Sequence, residues 1–452
     1  MDKHIFRAYD IRGVYPKQIN EDVAYQIGLG YGSYLQEYYH QNKCVVSHDN
    51  RISSPSLTNH LIKGIIESGC NVIFLGLTTT PMNYYARLYY KVPGIMVTAS
   101  HNPKDDNGFK FSFDGMVNAR GEMIDSFKNY VLLGNFKSGN GTITNKNIKS
   151  EYLNYLYNSI NLGNHKKKVV FDPGNGVVST IIKEVFNFKE IEPIYINDIS
   201  DGTFPNHHPD PSVKENMQML SQAVRENNAD FGIAYDGDGD RIGIVMDNGE
   251  VLPIEYFMII MIRDMLSKVE KKTFLYDIKC SKCIDDYLKQ INAEGLCYRT
   301  GASYTEYKVH EDNLPFGLEY SGHVYFNDRD TDCGSALYAS MRFIEVMSNT
   351  NQRLSDIVKD FPHYYASEEL RINCDDSKKF NVVDDIKREM EKYNLSINAI
   401  DGIRVSFNDG WALLRASNTG PNITFRTEAT SKEKEIEYEK YFLSLIDKFI
   451  QK

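Results

Sequence analysis

Short apolar runs of strand length alternate along this chain with amphipathic stretches of helix length. The run at 44–47 is followed by apolar residues at helical spacing, Leu57, Leu61, Ile65 and Ile66. Similar strand-length runs lie at 71–75, 94–98, 168–171 and 273–277, and helical patterns follow the last two at 178–186 and 284–288. Strands that alternate with helical segments predict βαβ units and mainly parallel sheets. We therefore expect an α/β fold whose functional groups lie in loops at the carboxyl ends of strands.

Three breaks divide this pattern. A polar stretch rich in Gly and Asn at 134–150 predicts a linker, and the hairpin signal at 247–249 predicts a boundary near Pro253. A third boundary is expected near 362–368, before a small α+β unit that ends in a charged amphipathic helix at roughly 431–450. At roughly 100–200 residues per domain, the length of 452 residues agrees with two to four domains.

The composition is that of an acidic globular protein. Hydrophobic residues make up 42% and charged residues 25% of the chain, and 61 Asp and Glu against 51 Lys and Arg give a net charge of −10. Such a surface repels nucleic-acid phosphate, so we expect no nucleic-acid partner. The longest strongly apolar run, 257–262, is too short to cross a bilayer, and the amino terminus does not resemble a signal peptide. Seven thinly spread cysteines argue against a disulfide framework, so we expect a cytoplasmic protein without a membrane partner.

The sharpest local feature is the sequence Asp-Gly-Asp-Gly-Asp-Arg at 236–241, between two apolar runs. Asp236, Asp238 and Asp240 cannot share a helix face, but in a loop that glycine makes flexible they can converge on one hard cation. A calcium loop is excluded because Arg241 stands where that loop needs Gly. Without a bound cation, three carboxylates this close together would repel one another strongly. The pattern therefore predicts a metal site, with a solvated acidic turn as the alternative.

A serine loop at 98–103 follows an apolar run that ends at Val97. A hydroxyl at the end of a strand suits a nucleophile or a phosphate acceptor, which makes Ser100 a candidate. On these residues alone an ordinary turn is the more frequent outcome. Lys110 is then either a surface lysine or a cation beside that serine.

Two further segments carry polar groups suited to binding. The segment 415–421, Arg-Ala-Ser-Asn-Thr-Gly-Pro, combines a cation, hydroxyls and a tight turn, which predicts either a phosphate cradle or a surface turn. In the second segment, Glu319, Ser321 and His323 alternate with other residues, so we expect them to share one face of a strand. That face would suit hydroxyl recognition; an exposed edge strand is the alternative.

Taken together and in this order, these segments resemble the α-D-phosphohexomutase superfamily, most closely its bacterial-type bifunctional phosphomannomutase/phosphoglucomutase branch. The motifs that carry the resemblance are Phe-Arg-Ala-Tyr-Asp-Ile-Arg-Gly at 6–13, the serine loop, the Asp loop at 236–241, a sugar loop near 317–323 and a phosphate loop at 415–421. Five ordered matches over nearly the whole chain make an accidental resemblance very improbable. The wording Arg-Ala-Ser-Asn-Thr favours this branch over phosphoglucosamine mutases, whose loop usually reads Arg-Pro-Ser-Gly-Thr.

The resemblance implies an α/β fold of four domains around a central cleft. Three would be similar α/β domains with mixed or parallel sheets, and the last a smaller α+β domain that binds phosphate. The expected boundaries are 1–148 for the domain with the serine loop, 149–253 for the metal loop, 254–365 for the sugar loop and 366–452 for the phosphate-binding domain.

The resemblance also implies a role for each motif. Ser100 would carry a phosphoryl group, and Mg²⁺ would be held by an oxygen of that group together with Asp236, Asp238 and Asp240. Glu319 and Ser321 would bind the 3- and 4-hydroxyls of the sugar. The implied catalytic residues are Ser100, Lys110, Arg241 and Arg12; the implied substrate-binding residues are Tyr9, Lys279, Glu319, Ser321, His323, Arg415, Ser417, Asn418 and Thr419.

The implied activity is that of a phosphohexomutase, which interconverts hexose 6-phosphate and hexose 1-phosphate of mannose, glucose or both. The reaction would pass through phosphoserine and a hexose 1,6-bisphosphate, which also acts as activator. The alternatives are a phosphoglucosamine mutase and a catalytically silent relative that binds phosphosugars. Whether the chain is a monomer or a dimer stays open.

Two positions depart from the family pattern. Leu318 replaces the second of two glycines that usually precede the sugar-loop Glu, and Ala302 replaces a His proposed for proton transfer. The second departure leaves the acid/base group open among Lys110, Lys279 and His323, with a lower rate as the alternative.

Overall fold

Four β-sheets follow one another along the chain in a computed structural model that describes residues 1–115, 117–329, 334–417 and 420–451. Helices pack against each sheet, and the predicted α/β class is confirmed. Within the described ranges, no helix combines the length and the apolar character needed to cross a membrane.

The first sheet is mixed and carries the amino-terminal motif and the serine loop. Its strands run in the order β1-β5-β4-β2-β3-β7, with β6 paired to β5; β2, β3, β4 and β7 are mutually parallel, and β1 and β5 are antiparallel to their neighbours. The strands are β1 (Ile11–Val14), β2 (Lys43–His48), β3 (Asn71–Leu77), β4 (Gly94–Val97), β5 (Asp106–Asp114), β6 (Val117–Asn118) and β7 (Ile143–Asn145), and the helices are α1 (Glu21–Tyr38), α2 (Ser54–Glu67), α3 (Thr80–Tyr90) and α4 (Glu122–Leu133).

The second sheet, ordered β12-β11-β10-β8-β9, carries the Asp loop between β10 and β11. The helix expected at 178–186 is broken into a 3₁₀ turn at Val177–Thr180 and the short helix α6. The strands are β8 (Lys167–Asp172), β9 (Ile191–Tyr195), β10 (Phe231–Tyr235), β11 (Ile242–Met246) and β12 (Val251–Leu252), and the helices are α5 (Lys149–Asn158), α6 (Ile182–Val185) and α7 (Gln218–Asn227).

The third sheet has the order β14-β13-β15-β16, and its last two strands form a hairpin. Its helices α8 and α11 are buried along most of their length in a core shared with the second sheet. The strands are β13 (Thr273–Asp277), β14 (Glu294–Tyr298), β15 (Phe316–Leu318) and β16 (Val324–Phe326), and the helices are α8 (Ile254–Met265), α9 (Cys283–Gln290), α10 (Ala302–Glu311), α11 (Ala336–Ser348) and α12 (Leu354–Ile357).

The fourth sheet is antiparallel, ordered β17-β22-β21-β20-β19 with β18 paired to β22, and has its own hydrophobic core. The expected carboxyl-terminal helix is confirmed as α14, which the side chain of Ser431 caps. The strands are β17 (Tyr365–Ala366), β18 (Leu370–Asn373), β19 (Ser396–Asn398), β20 (Ile403–Ser406), β21 (Gly410–Ala416) and β22 (Asn422–Ala429), and the helices are α13 (Lys379–Glu391) and α14 (Lys432–Ile450).

Glycines bring α1 and α2 into backbone contact beneath the first sheet. A Cβ atom on Gly28 would lie less than 3.0 Å from the carbonyl oxygen of Leu61, and one on Gly64 would lie equally close to that of Tyr25. Both obstacles are backbone atoms, which cannot move aside as a flexible side chain can. The close helix crossing therefore requires glycine at both positions.

Substituting Gly28→Ala should destabilise the fold by about 2 kcal/mol, the usual range for forcing extra volume into a packed contact. Helix propensity alone predicts the opposite sign, because Ala is favoured over Gly by about 1 kcal/mol within a helix. Urea denaturation followed by circular dichroism measures the change. Gln26→Ala, on the exposed side of the same helix, should leave the midpoint unchanged. A Gly28→Ala protein as stable as the wild type would show that the helices can separate without cost.

Candidate active site

Ser100 lies just beyond β4 in a left-handed backbone conformation, with φ of +53°. Its side chain is buried, and its hydroxyl Oγ donates to Oδ2 of Asp236 at 2.6 Å. Its amide donates to Oγ1 of Thr98 at 2.8 Å. A non-glycine residue in this conformation is strained, so surrounding contacts must hold it there. The hydrogen bond from Ser100 to Asp236 joins the serine loop of the first sheet to the Asp loop of the second.

Arg51, which no sequence motif indicates, supplies much of that support. Its side chain is fully buried and pairs with Asp49 at 3.2 Å. Its guanidinium donates to three backbone carbonyls of the serine loop, those of Ser100, Asn102 and Pro103, and to that of Asp106 at the start of β5, at 2.5 to 3.0 Å. Only its place in the loop after β2 could have pointed to it, since this loop lies at the carboxyl edge of the parallel strands.

Asp236, Asp238 and Asp240 converge in the loop between β10 and β11. Each can offer an oxygen within 4.8 Å of the others, and all three side chains are buried, which argues against a solvated acidic turn. Oδ1 of Asp236 accepts from the amides of Gly239, Asp240 and Arg241 at 3.0 to 3.1 Å. Gly239 has φ of +82°, a conformation that few other residues adopt.

Side chains on strand β5 and helix α3 stabilise the charge of this cluster. Nζ of Lys110, on β5, lies 2.8 Å from Oδ2 of Asp238 and 2.6 Å from Oδ2 of Asp240. Thr80, at the amino terminus of α3, donates its hydroxyl to Oδ2 of Asp238 at 2.6 Å. The partial positive charge of the helix end favours a carboxylate there.

The pKa values of the three carboxyls move in different directions. Burial, followed by the charges of Asp238 and Asp240, raises the pKa of Asp236 well above its usual value. Burial also opposes ionisation of Asp238 and Asp240, but the pKa of each lies below its usual value, because Lys110 acts on both, with Thr80 at Asp238 and with His323 and Arg241 at Asp240. Groups from outside the Asp-Gly-Asp-Gly-Asp segment thus hold two of the carboxyls in their charged form.

The donor set fits a divalent cation. Three carboxylates carry more negative charge than Lys110 neutralises, and carboxylate oxygens are the ligands that Mg²⁺ prefers. Oδ1 of Asp238 is buried and has no hydrogen-bond partner among the described residues. A buried acceptor without a partner is costly, and a cation bound here would satisfy it.

The other expected catalytic cations lie around the serine loop. Nε of Arg12 pairs with Asp10 at 2.5 Å, and Nη1 donates to Oδ1 of Asn102 at 2.7 Å. Nη1 of Arg241 lies 3.8 Å from Oδ1 of Asp210. Burial, followed by the charge of Asp10, raises the pKa of Tyr9, and Arg12 and Arg241 act against that rise. Tyr9 therefore lies near both arginines.

Glu319, Ser321 and His323 do not share a strand face, so that prediction is wrong. They lie in the turn between β15 and β16, where Gly322 adopts φ of +92° and its amide donates to the carbonyl of Glu319 at 2.9 Å. The alternating pattern resembles a strand, but a glycine able to adopt positive φ lets the chain reverse within four residues. Leu318, in place of the usual glycine, is buried in the regular strand β15.

The turn nevertheless brings the three side chains together and joins them to the Asp loop. Nδ1 of His323 lies 3.0 Å from Oε2 of Glu319 and 3.2 Å from Oγ of Ser321, and Nε2 lies 3.1 Å from Oδ1 of Asp240. Burial alone would lower the pKa of His323, but Asp240 and Glu319 raise it to about 9. The imidazole is therefore positively charged between two carboxylates at neutral pH.

Lys279 and Arg415 approach the site from the third and fourth sheets. Both side chains are buried; Nζ of Lys279 pairs with Oε2 of Glu369 at 3.0 Å, and Nε of Arg415 with Oδ2 of Asp401 at 3.1 Å. Burial lowers the pKa of Lys279, but Glu369 and Asp277 raise it overall, and the Arg415 guanidinium opposes that rise, which places the two cations near one another.

Lys379 supports the phosphate loop and was not expected from the sequence. Its buried ammonium donates to the carbonyls of Ser417 at 2.6 Å and Gly420 at 3.0 Å. Oγ of Ser417 accepts from the amide of Gly420 at 3.2 Å. The expected binding residues Asn418 and Thr419 lie outside the described residues.

Sequence models of phosphoglucomutase/phosphomannomutase match almost the whole chain. The models of its alpha/beta/alpha domains I, II and III match residues 3–131, 150–249 and 254–365, and the model of its C-terminal domain matches residues 369–444.

Individual proteins are similar over the same length. A phosphomannomutase/phosphoglucomutase of Pseudomonas putida is 34% identical over 428 residues, which cover 94% of this chain and 92% of that protein. A phosphoglucomutase of Neisseria meningitidis is 32% identical over 437 residues, covering 95% of this chain and 94% of that protein. The crystal structure of a phosphoglucomutase/phosphomannomutase family protein from Burkholderia thailandensis superposes with a TM-score of 0.90 and 30% identity, covering 99% of this chain and 97% of that one.

The carboxylate cluster should bind a divalent cation, and binding should raise the melting temperature. At about 100 times the Kd, a ligand specific for the folded state adds about 2.7 kcal/mol to its stability. Calorimetric melting with and without Mg²⁺ or Mn²⁺ measures the increase. Asp238→Asn should abolish most of it, whereas Glu250→Gln, an exposed carboxylate of the same sheet region, should retain it. The same increase in all three proteins would exclude the Asp loop as the binding site.

Proposed function

Because the chain belongs to the phosphoglucomutase/phosphomannomutase family and is a hexose phosphate mutase, we propose that it carries the transferred phosphoryl group on Ser100. The phosphoserine gives its phosphoryl group to the free hydroxyl of a hexose monophosphate, which forms a hexose 1,6-bisphosphate. The other phosphate of that intermediate then returns to Ser100. The proposed domain boundaries remain 1–148, 149–253, 254–365 and 366–452.

The contact between Ser100 and the Asp loop is the observation that carries this proposal. Its hydroxyl lies 2.6 Å from a carboxylate oxygen of Asp236, in a buried cluster of three carboxylates. We propose that Asp236, Asp238 and Asp240 hold Mg²⁺, which when bound stabilises charge on the transferring phosphoryl group as a Lewis acid. Lys110, already in contact with two of these carboxylates, adds positive charge at the same point.

Recognition of the sugar is assigned to the turn between β15 and β16. Glu319 and Ser321 would bind the 3- and 4-hydroxyls, which keep their relation to the ring when the two ends of the sugar exchange places. The amide of Gly301 donates to Oε1 of Glu319 at 2.5 Å and fixes the orientation of that carboxylate. His323, on the other side of Glu319, would contribute a charged donor to the same site.

The phosphate that does not react would be bound by Lys279, Arg415 and the loop at 417–420. Two buried cations and the hydroxyl of Ser417 suit a dianion that must bind at either end of the sugar. Asn418 and Thr419 belong to this proposed cradle on the strength of the family resemblance alone.

Proton transfer cannot involve residue 302, because Ala302 has no exchangeable side-chain proton. We propose Lys110 or His323 in that role, since both contact Asp240 beside the proposed phosphoryl carrier. Lys279 is less suited, because its ion-pair partner among the described residues is Glu369 and not a carboxylate of the Asp loop beside Ser100.

Replacing Ser100 by Ala should abolish turnover almost completely, because the proposed carrier of the phosphoryl group is lost. A coupled assay with glucose 1-phosphate and glucose 1,6-bisphosphate measures kcat. Ser138→Ala, the same change in an exposed loop of the first domain, serves as the control and should keep wild-type activity. Retention of more than a few per cent of kcat by the Ser100 variant would refute the assignment.

Substrate choice should follow the hydroxyls that Glu319 and Ser321 are proposed to bind. Glucose and mannose differ at C2, so their 1-phosphates should be used with kcat/KM values within roughly tenfold of each other. Galactose differs from glucose at C4, and its 1-phosphate should be disfavoured by about 10² or more, because buried polar groups would lose their partners.

Measuring kcat/KM for the three 1-phosphates with the wild type and with Glu319→Ala tests this assignment. The variant should discriminate less strongly against galactose 1-phosphate. Equal use of galactose 1-phosphate by the wild type, or unaltered discrimination in the variant, would remove Glu319 from sugar recognition.

A further inference from the structure

The Lys279 ammonium forms an ion pair with the carboxylate of Glu369. Glu369 lies between β17 and β18, in the segment that leads into the fourth sheet, and its Oε2 is 3.0 Å from Nζ of Lys279. Its Oε1 lies 3.6 Å from Nε of the more exposed Arg371. The carboxyl is ionised at neutral pH, because Lys279, with help from Arg371 and Arg415, lowers its pKa to about 2 against the effect of burial.

The backbone that carries Lys279 is fixed independently of this ion pair. Nη1 of Arg404 donates to the carbonyls of Ile278 and Cys280, each at 2.9 Å. Arg426 donates to the carbonyl of Lys279 itself. Both arginines are buried. Removing the charge of Glu369 would therefore change the partner of the ammonium without releasing the loop.

We propose that Glu369 is a positioning residue that competes with the substrate's phosphate for Lys279 and thereby limits how tightly a phosphosugar is held. This inference rests on the proposed function, in which Lys279 and Arg415 bind the phosphate that does not react. A dianion arriving between the two cations must share Lys279 with a carboxylate that repels it. Glu369 would weaken binding of the substrate and of the transition state equally. Removing its charge would therefore lower KM without raising kcat.

Weak phosphate binding at Lys279 suits a reaction in which the bound bisphosphate has to reverse its orientation. The proposed cradle must release one phosphate of the bisphosphate and accept the other within each cycle. With Glu369 present, Lys279 has a partner whenever the phosphate leaves, so no buried ammonium is stranded.

Asp401 is a different case, although it is paired with Arg415. Its Oδ2 also accepts from the amide of Thr300 at 3.1 Å and so joins the third sheet region to the fourth. A change there would disturb the contact between these two units. Glu369 is therefore the residue at which competition can be tested with the least effect on structure.

The test is steady-state kinetics of Glu369→Gln with glucose 1-phosphate. KM should fall about threefold to tenfold, the effect of removing one partly buried like charge near a bound dianion, and kcat should not rise. The inhibition constant of inorganic phosphate should fall by the same factor. Glu368→Gln, the same change at the adjacent exposed residue, should leave both constants unchanged. A KM for Glu369→Gln that is unchanged or raised would overturn the inference.

Lys279→Met separates this inference from the proposed function. It should raise KM, and adding Glu369→Gln to it should no longer lower KM, because the competed-for ammonium is gone. If Lys279→Met raises KM but Glu369→Gln does not lower it, the inference alone is wrong. If Lys279→Met leaves KM unchanged, Lys279 does not bind phosphate, and both the proposed cradle and the inference are overturned.

Discussion

Repulsion among the three buried carboxylates of the Asp loop is the constraint around which the site is arranged. Asp236, Asp238 and Asp240 are brought together by a tight turn of the second sheet, and burial makes their mutual repulsion expensive. The compensating groups come from other parts of the chain: Lys110 from the first sheet and His323 from the third. The same electrostatic interactions that stabilise the carboxylates therefore connect three sheets.

The position of the Ser100 side chain also depends on the Asp loop. Its left-handed backbone is held by Arg51, and its hydroxyl is directed to Asp236. The residue proposed to gain and lose a phosphoryl dianion thus lies beside the carboxylate cluster that is proposed to hold Mg²⁺. Farther from the Asp loop, Lys279 and Arg415 are each neutralised by a carboxylate, which suits reversible phosphate binding better than a permanently unpaired cation would.

The sequence predicted those parts of the fold and site that are local in the chain. The α/β class follows from the alternation of strand-length apolar runs with stretches of helical spacing. The Asp loop can be identified because its three carboxylates lie within five residues. Alternation predicts a strand at 319–323, but Gly322 adopts positive φ and the chain turns there instead. Arg51, Lys379 and Glu369 act through partners that are distant in sequence, so no local pattern identifies them.

Mass spectrometry of the intact protein tests most directly whether Ser100 carries the phosphoryl group. After incubation with glucose 1,6-bisphosphate, we expect a species heavier than the unmodified chain by one phosphoryl group. Fragmentation should locate that group on the peptide containing Ser100. A chain that stays unmodified while it turns over substrate, or one that carries the group on a different residue, would contradict the account.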